Sequence, residues 1–288
     1  MKIALCYSGQ INRFADAHAN HQLALMAFND VDVFAYTSNA VTQKKGVASN
    51  VNLPPLNGVV KEYLPGGIGW MKMFNTYGII YNVDDRIITD RINDICGDRL
   101  KKLYIEDEDI DEDNNEVEKI TKWQWLKKRQ LHKMSRSNQL ARQYAKDGGF
   151  EYDLIIRSRY DYTLNIGIDF EELVARTIRQ YGSIDNKIFL FGGWLPPAEN
   201  RFMDRYLFDG FAFGCPSVMD IYCSLNEKED AYPPMEKYDH GPESKKYAVE
   251  YQLHTHLQEN NIEIVYLNDP DKQLDDPQCG RWLYSVIR

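Results

Sequence analysis

The chain has no pair of cysteines spaced to share a metal ion. Its five cysteines, Cys6, Cys96, Cys215, Cys223 and Cys279, are scattered and odd in number. That pattern argues against a CxxC zinc site and a disulfide framework. It reads as reduced thiols, so the expected compartment is cytoplasmic. No run approaches the ~18 apolar residues a membrane helix requires, so any membrane association is expected to be peripheral. The opening MKIALCYSG carries too short an apolar run to read as a signal peptide. Positive charge is also scarce: 34 Lys and Arg stand against 43 Asp and Glu, a formal net charge of -9. A diffuse nucleic-acid footprint needs the opposite balance, so nucleic acid is not an expected partner. There is no Ser-His-Asp or Cys-His set with a recognised local signature, which removes the covalent hydrolases. No internal repeat and no linker rich in Gly, Ser or Pro divides residues 1–288, so a single domain is expected.

What is present is a globular composition, 43% hydrophobic and 12% aromatic, with 19 Tyr. Tyrosine rings suit sugar binding and suit half-buried packing equally well. KIALCYSG (2–9), a helical pattern over 15–29 and VDVFAYTSN (31–39) make a strand–helix–strand opening, which favours a parallel sheet. VVKEYL (59–64) reads as a third strand and residues 69–103 as helical pieces. EDEDIDEDNNEVE (106–118) reads as a solvated acidic loop. Residues 121–149 form a long basic amphipathic helix, or two, ending at Gly148-Gly149. Its segment WLKKRQLHK (125–133) reads as a solvated face, the alternative being contact with anionic lipid or polymer. Further on, 170–182 and 247–261 read as helices. KIFLFGG (187–193) and IEIVYLN (262–268) read as strands, and 209–225 as strand, turn and helix.

One stretch breaks its own pattern. YDLIIRSRYDYTLN (152–165) begins as a buried strand and then inserts Arg157, Arg159 and Asp161. Side chains alternate along a strand, so these three share one face with Asp153 and Ile155. Charge inside a strand covered on both faces is costly. The charges are therefore expected at the carboxyl end, in the crevice where open α/β sheets bind ligands. Two arginines and a carboxylate suit a diphosphate: the guanidinium forks match phosphate oxygens, and Asp161 holds a bridging divalent cation or orients a ribose hydroxyl. An internal ion pair, Arg157 or Arg159 with Asp153 or Asp161, explains the same residues.

Ser8-Gly9-Gln10 closes the first strand and Arg13 opens the following helix. Glycine permits close backbone approach and a helix start favours anions. This places Gln10 on a base or ribose and Arg13 on phosphate, although a plain βα turn accounts for the residues too. The turn is not a GxGxxG fingerprint. His254 and His256 stand two apart on a helix, so they do not face one metal together. Trp194, in GGWLPP, is either a stacking ring for a sugar or a packed turn.

The YDLIIRSRYD stretch resembles a YD-x-(I/V)-(I/V)-R-x-R-x-D signature of glycosyltransferase-like proteins of bacterial surface-polysaccharide clusters and of large-virus and phage genomes. KIALCYSGQINRF, DGFAFGCPSVMDIY and VEYQLHTHLQENNIEIVYL resemble three further stretches of these proteins, in the same order. The resemblance runs in pieces from residue 2 to about 268, omitting the 40–120 region. It implies a GT-A-like α/β fold, with a mostly parallel central sheet flanked by helices and an irregular C-terminal lobe. A nucleotide-binding half would span about 1–165 and an acceptor-side half about 166–288. It implies transfer of a sugar from a nucleoside-diphosphate sugar to a glycan or other hydroxyl acceptor. Ser8, Gly9, Gln10, Arg13, Arg157, Arg159 and Asp161 would hold the donor, with Asp161 on a divalent cation, Mn²⁺ or Mg²⁺. Asp209 and Glu250 are the candidates for the acceptor-side catalytic base, and a histidine of the His254/His256 pair is a candidate late metal ligand. One departure matters: the first acid of a DxD motif is replaced by Arg159, which puts the metal in question. A non-catalytic sugar-nucleotide binder and a nucleotidyltransferase are the alternatives on the same fold.

Overall fold

The computed structural model describes residues 1–11, 14–27, 29–44, 62–64, 78–107, 119–164, 168–194, 205–228, 249–267 and 284–286. Seven strands form the central sheet: β1 (Lys2–Ser8), β2 (Asp30–Ser38), β6 (Leu100–Glu106), β7 (Leu154–Arg159), β9 (Lys187–Trp194), β10 (Arg205–Gly214) and β11 (Glu263–Tyr266). Their order is β11-β9-β10-β7-β1-β2-β6. Every pairing is parallel except the two made by β10. Two small antiparallel sheets accompany it. One joins β3 (Ala40–Lys44), β5 (Gly78–Asn82) and β4 (Glu62–Leu64). The other joins β12 (Tyr284–Val286) and β8 (Tyr162–Leu164). The architecture is α/β, a mostly parallel mixed sheet flanked by helices, and is compatible with a Rossmann-like fold. No described helix is long and apolar enough to cross a membrane.

The two-residue repeat of the strands sorts side chains into two cores. Ile3, Leu5, Tyr7, Leu154 and Ile156 enter one. Helices α1 (Phe14–His21), α2 (Asp85–Cys96) and α4 (Phe170–Tyr181) cover it, through Phe14, Ile88, Ile92 and Phe170. Ala4, Cys6, Phe34 and Ile155 enter the other. It is covered by α3 (Lys119–Asp147), α5 (Pro216–Cys223), α6 (Leu225–Lys228) and α7 (Val249–Glu259), through Leu131, Met134, Ala141, Met219, Tyr222, Leu225 and Leu253. Both cores meet on β1 and β7, which accounts for the unbroken apolar runs of those strands.

Helix ends follow their local chemistry. Asp169 caps α4 by accepting from the Glu172 amide at 3.1 Å, and Asp84 caps α2 through the Arg86 amide at 2.8 Å. The basic helix is one unit and stops at Gly149, whose φ of +67° only glycine adopts cheaply. Phe150 N donates to Ala145 O at 3.0 Å to close the turn.

The structure departs from the helical reading of 69–103. Within the described part of that range lie β5, α2 and the start of β6. The error on β6 has a physical cause. Val33 pairs with Leu100 but Phe34 pairs with Lys102, so Lys101 is an extra residue in the ladder. That irregularity shifts the alternation, and Leu100 and Leu103 both pack on the first core. A three-residue spacing of that kind imitates a helix.

Candidate functional site

The chain winds from β1 to β2 to β6 in one direction, then returns to lay β7 on the other side of β1. The carboxyl ends of β1 and β7 thus flank a topological switch point, where a crevice opens in sheets of this kind. Ser8 is in register with Arg159, and Cys6 with Arg157. The two stretches singled out from sequence, 150 residues apart, are neighbours here.

Arg157 is 1% exposed and among the largest fully buried side chains of the protein. It points to the face covered by α3 and α5. Its Nε donates to Ser8 Oγ at 3.3 Å, and its charge opposes the burial that pushes the Cys223 thiol of α5 upward. Its Nη1 is buried and has no hydrogen-bond partner among the described residues. An arginine fork costs free energy when buried with an idle donor, so such a donor marks a place for an anion.

Arg159 and Asp161 form the internal ion pair that the sequence allowed. Arg159 Nε donates to Asp161 Oδ1 at 2.8 Å and Nη2 to Oδ2 at 2.7 Å, with side chains 35% and 26% exposed. Asp161 lies in the turn beyond the strand, so the even spacing expected of an extended chain does not hold there. Asp153 is at the opposite end and accepts from the Lys2 amide at 2.6 Å. Both Asp161 oxygens face a guanidinium, and no group of three His, Cys, Asp or Glu among the described residues is arranged to hold a cation. The described residues therefore do not fit the divalent cation expected at Asp161.

Gly9 follows Ser8 with φ of +121°, a conformation that favours glycine. No atom lies within 4 Å of where a Cβ would stand, and its carbonyl accepts from Thr37 Oγ1 at 2.9 Å. Gln10 is half-buried at the same edge. Arg13 and the side chains of Asp209, Glu250 and Trp194 lie outside the described residues. The backbone still places two of them. Phe211 pairs with Ser158 in an antiparallel ladder, so Asp209, two residues earlier, runs past the carboxyl end of β7. Helix α7 ends where β11 begins, so its first turn, with Glu250, lies towards the same edge. His256 Nε2 donates to Ile221 O at 2.7 Å and ties α7 to α5, which accounts for that ring without a metal.

Lys133 and Arg129 were missed in the sequence, and the solvated-face reading of 125–133 fails for them. Lys133 is 4% exposed. Its Nζ donates to Ser38 Oγ at 2.7 Å, at the carboxyl end of β2. Burial, helped by the nearby Arg129 charge and opposed by Glu106, lowers its ammonium to a pKa of about 7. Burial likewise lowers Arg129 to about 10. The signal was legible: Ala145, Ala141 and Ser137 form a buried stripe at four-residue steps, and two further steps reach Lys133 and Arg129. Ser8, Tyr36 and Ser38 share the α3 face with Arg157. Arg129 and Lys133 of α3 and Arg157 of β7 thus belong to the same face of the sheet. The neighbouring acid Glu106 acts on both Lys133 and Arg129, and its Oε1 lies 3.4 Å from His132 Nε2.

No protein-family model matches the chain, and no curated protein matches it in sequence.

Proposed function

We propose that the chain is a glycosyltransferase of GT-A-like type, moving a sugar from a nucleoside-diphosphate sugar to a glycan or other hydroxyl acceptor. The observation that carries this reading is the buried Arg157, its idle Nη1 set at the switch point beside Ser8. Arg157 takes the diphosphate, and Ser8, Gly9 and Gln10 face the nucleotide. Arg159 and Asp161 form the rim as a pair. In the reaction the bond from the sugar's anomeric carbon to the diphosphate oxygen breaks, and the leaving nucleoside diphosphate takes the electron pair. The acceptor oxygen forms the new bond and gives its proton to a carboxylate, with Asp209 or Glu250 in that role. Charge grows on the leaving diphosphate, so buried cations stabilise the transition state more than the ground state.

The Arg159–Asp161 pairing favours one second reading, a sugar-nucleotide binder without turnover, because it engages the acid that a DxD motif would offer to a metal. Thermal shift against uridine-, guanosine- and deoxythymidine-diphosphate sugars, followed by assay of nucleoside diphosphate release, separates the two. Stabilisation with release supports the transferase, and stabilisation without release supports the binder. No stabilisation by any of them removes both.

A further inference from the structure

We infer that Thr37 of β2 is a positioning residue for the diphosphate site: its hydroxyl holds the Gly9 carbonyl away from the side on which the phosphates are bound. This role rests on the nucleotide-sugar reading above. Thr37 acts through Gly9 and touches no part of the ligand itself.

The ladder between β1 and β2 stops at the pair Ser8–Tyr36. The next step would set Gly9 beside Thr37, and there a side chain takes over from the backbone. Thr37 Oγ1 donates to Gly9 O at 2.9 Å. Thr37 is fully buried and continues the face of β2 on which Val33 and Ala35 enter the first core. Arg157, in register with Cys6, lies on the other face, the one covered by α3. Strands β2 and β7 flank β1 on opposite sides. The Gly9 carbonyl is therefore drawn towards β2 and the first core, away from β7 and from Arg157.

Glycine is the residue whose carbonyl most needs such a hold. Gly9 has φ of +121°, a conformation that costs glycine little and leaves it many others. No atom lies within 4 Å of where a Cβ would stand, so packing does not wedge the turn on that side. A planar peptide at an unrestrained glycine can rotate as a unit, exchanging the directions of its C=O and N–H. The rotated form would set a carbonyl oxygen towards the edge where Ser8 and the idle Arg157 Nη1 stand. An oxygen there repels phosphate and competes for the guanidinium. The Thr37 bond selects the other orientation before the ligand arrives, which lowers the cost of binding. Satisfying the carbonyl does not by itself call for Thr37, because Gly9 is half-buried and water can bond to it.

The test uses the whole protein and two variants. Thr37→Val keeps the branched shape and removes the hydroxyl, whereas Thr37→Ser keeps the hydroxyl and removes a buried methyl. Binding of inorganic pyrophosphate and of uridine, guanosine and deoxythymidine diphosphates is measured by calorimetry, with melting temperatures alongside. Thr37→Val should lose roughly 10-fold in affinity for each of these ligands that the parent binds, the scale of one hydrogen bond. Thr37→Ser should bind like the parent while melting lower, because its methyl no longer fills the core. Unchanged affinity in Thr37→Val overturns the positioning role and leaves the glycosyltransferase reading standing. Affinity lost equally in Thr37→Ser overturns it too, since shape and not the hydroxyl would then matter. A Thr37→Val protein that does not fold also overturns it, because the hydroxyl would then serve the fold itself. No binding of any of these ligands by the parent overturns both readings.

Discussion

Two groups of buried polar side chains lie on opposite faces of the central sheet, and they are treated in opposite ways. On the α3 face, Lys133 and Arg157 keep cationic groups nearly out of water, each bonded to a serine at a strand end. On the other face, Tyr7 OH lies 2.6 Å from His21 Nδ1 and 3.2 Å from His18 Nδ1. Tyr160 and Phe14 pack around the Tyr7 ring. There burial drives the histidines towards neutrality, lowering His18 to about 4 and His21 to about 3. One hydroxyl can donate to one imidazole and accept from the other, so two neutral rings can share it. The contrast separates two uses of burial. A neutral network at a strand end is a packing element, whereas Arg157 keeps a buried guanidinium nitrogen with no hydrogen-bond partner among the described residues.

The sharpest way to separate the two regions is pH. Each histidine has a folded pKa below its unfolded value of 6.5, so between about pH 6.5 and 4 the unfolded chain binds protons that the folded one refuses. The stabilisation is fully present above 6.5 and is lost as pH falls, by up to about 1.4 kcal/mol per pH unit for each histidine. Urea unfolding at about pH 7 and about pH 5 should show the loss, and His21→Phe should reduce the slope. Equal stability at the two pH values would refute the neutral network.

Next in size is Arg157→Met, expected to weaken nucleoside diphosphate binding by roughly 100-fold with little loss of melting temperature. A variant that unfolds while binding persists would make Arg157 a packing residue like the histidines. Tyr7→Phe removes both imidazole contacts and should cost about 1–3 kcal/mol in chemical denaturation without altering nucleotide affinity. A change in affinity would join the two faces into one site. The smallest effect is expected at the rim. A double-mutant cycle of Arg159→Ala and Asp161→Ala should give a coupling of about 1 kcal/mol or less, because both side chains reach solvent. A larger coupling would mean that this pair belongs with the buried groups.

Much of this comparison was legible in the residues. The alternation in 152–161 put Arg157 and Arg159 on one face, and the strand placed them near its exit. The capping signal at Gly148-Gly149 marked a helix end that the structure keeps. The β6 strand was not legible, since one extra residue changed its phase. Lys133 was hidden by composition: a helix with so many lysines and arginines looks solvated on every face until its small-residue stripe is followed.

The sequence by itself determined which segments alternate, which cap, and that charge stands at the end of an apolar strand. These are local matters, governed by periodicity and backbone preference. Only the tertiary structure decided what each charge meets. Asp161 turned towards Arg159 because the chain bends after the strand. Arg157 was left with Ser8 because winding order set β7 beside β1. Lys133 reached the same edge because a helix of 29 residues, fixed at the amino edge, is long enough to carry it there.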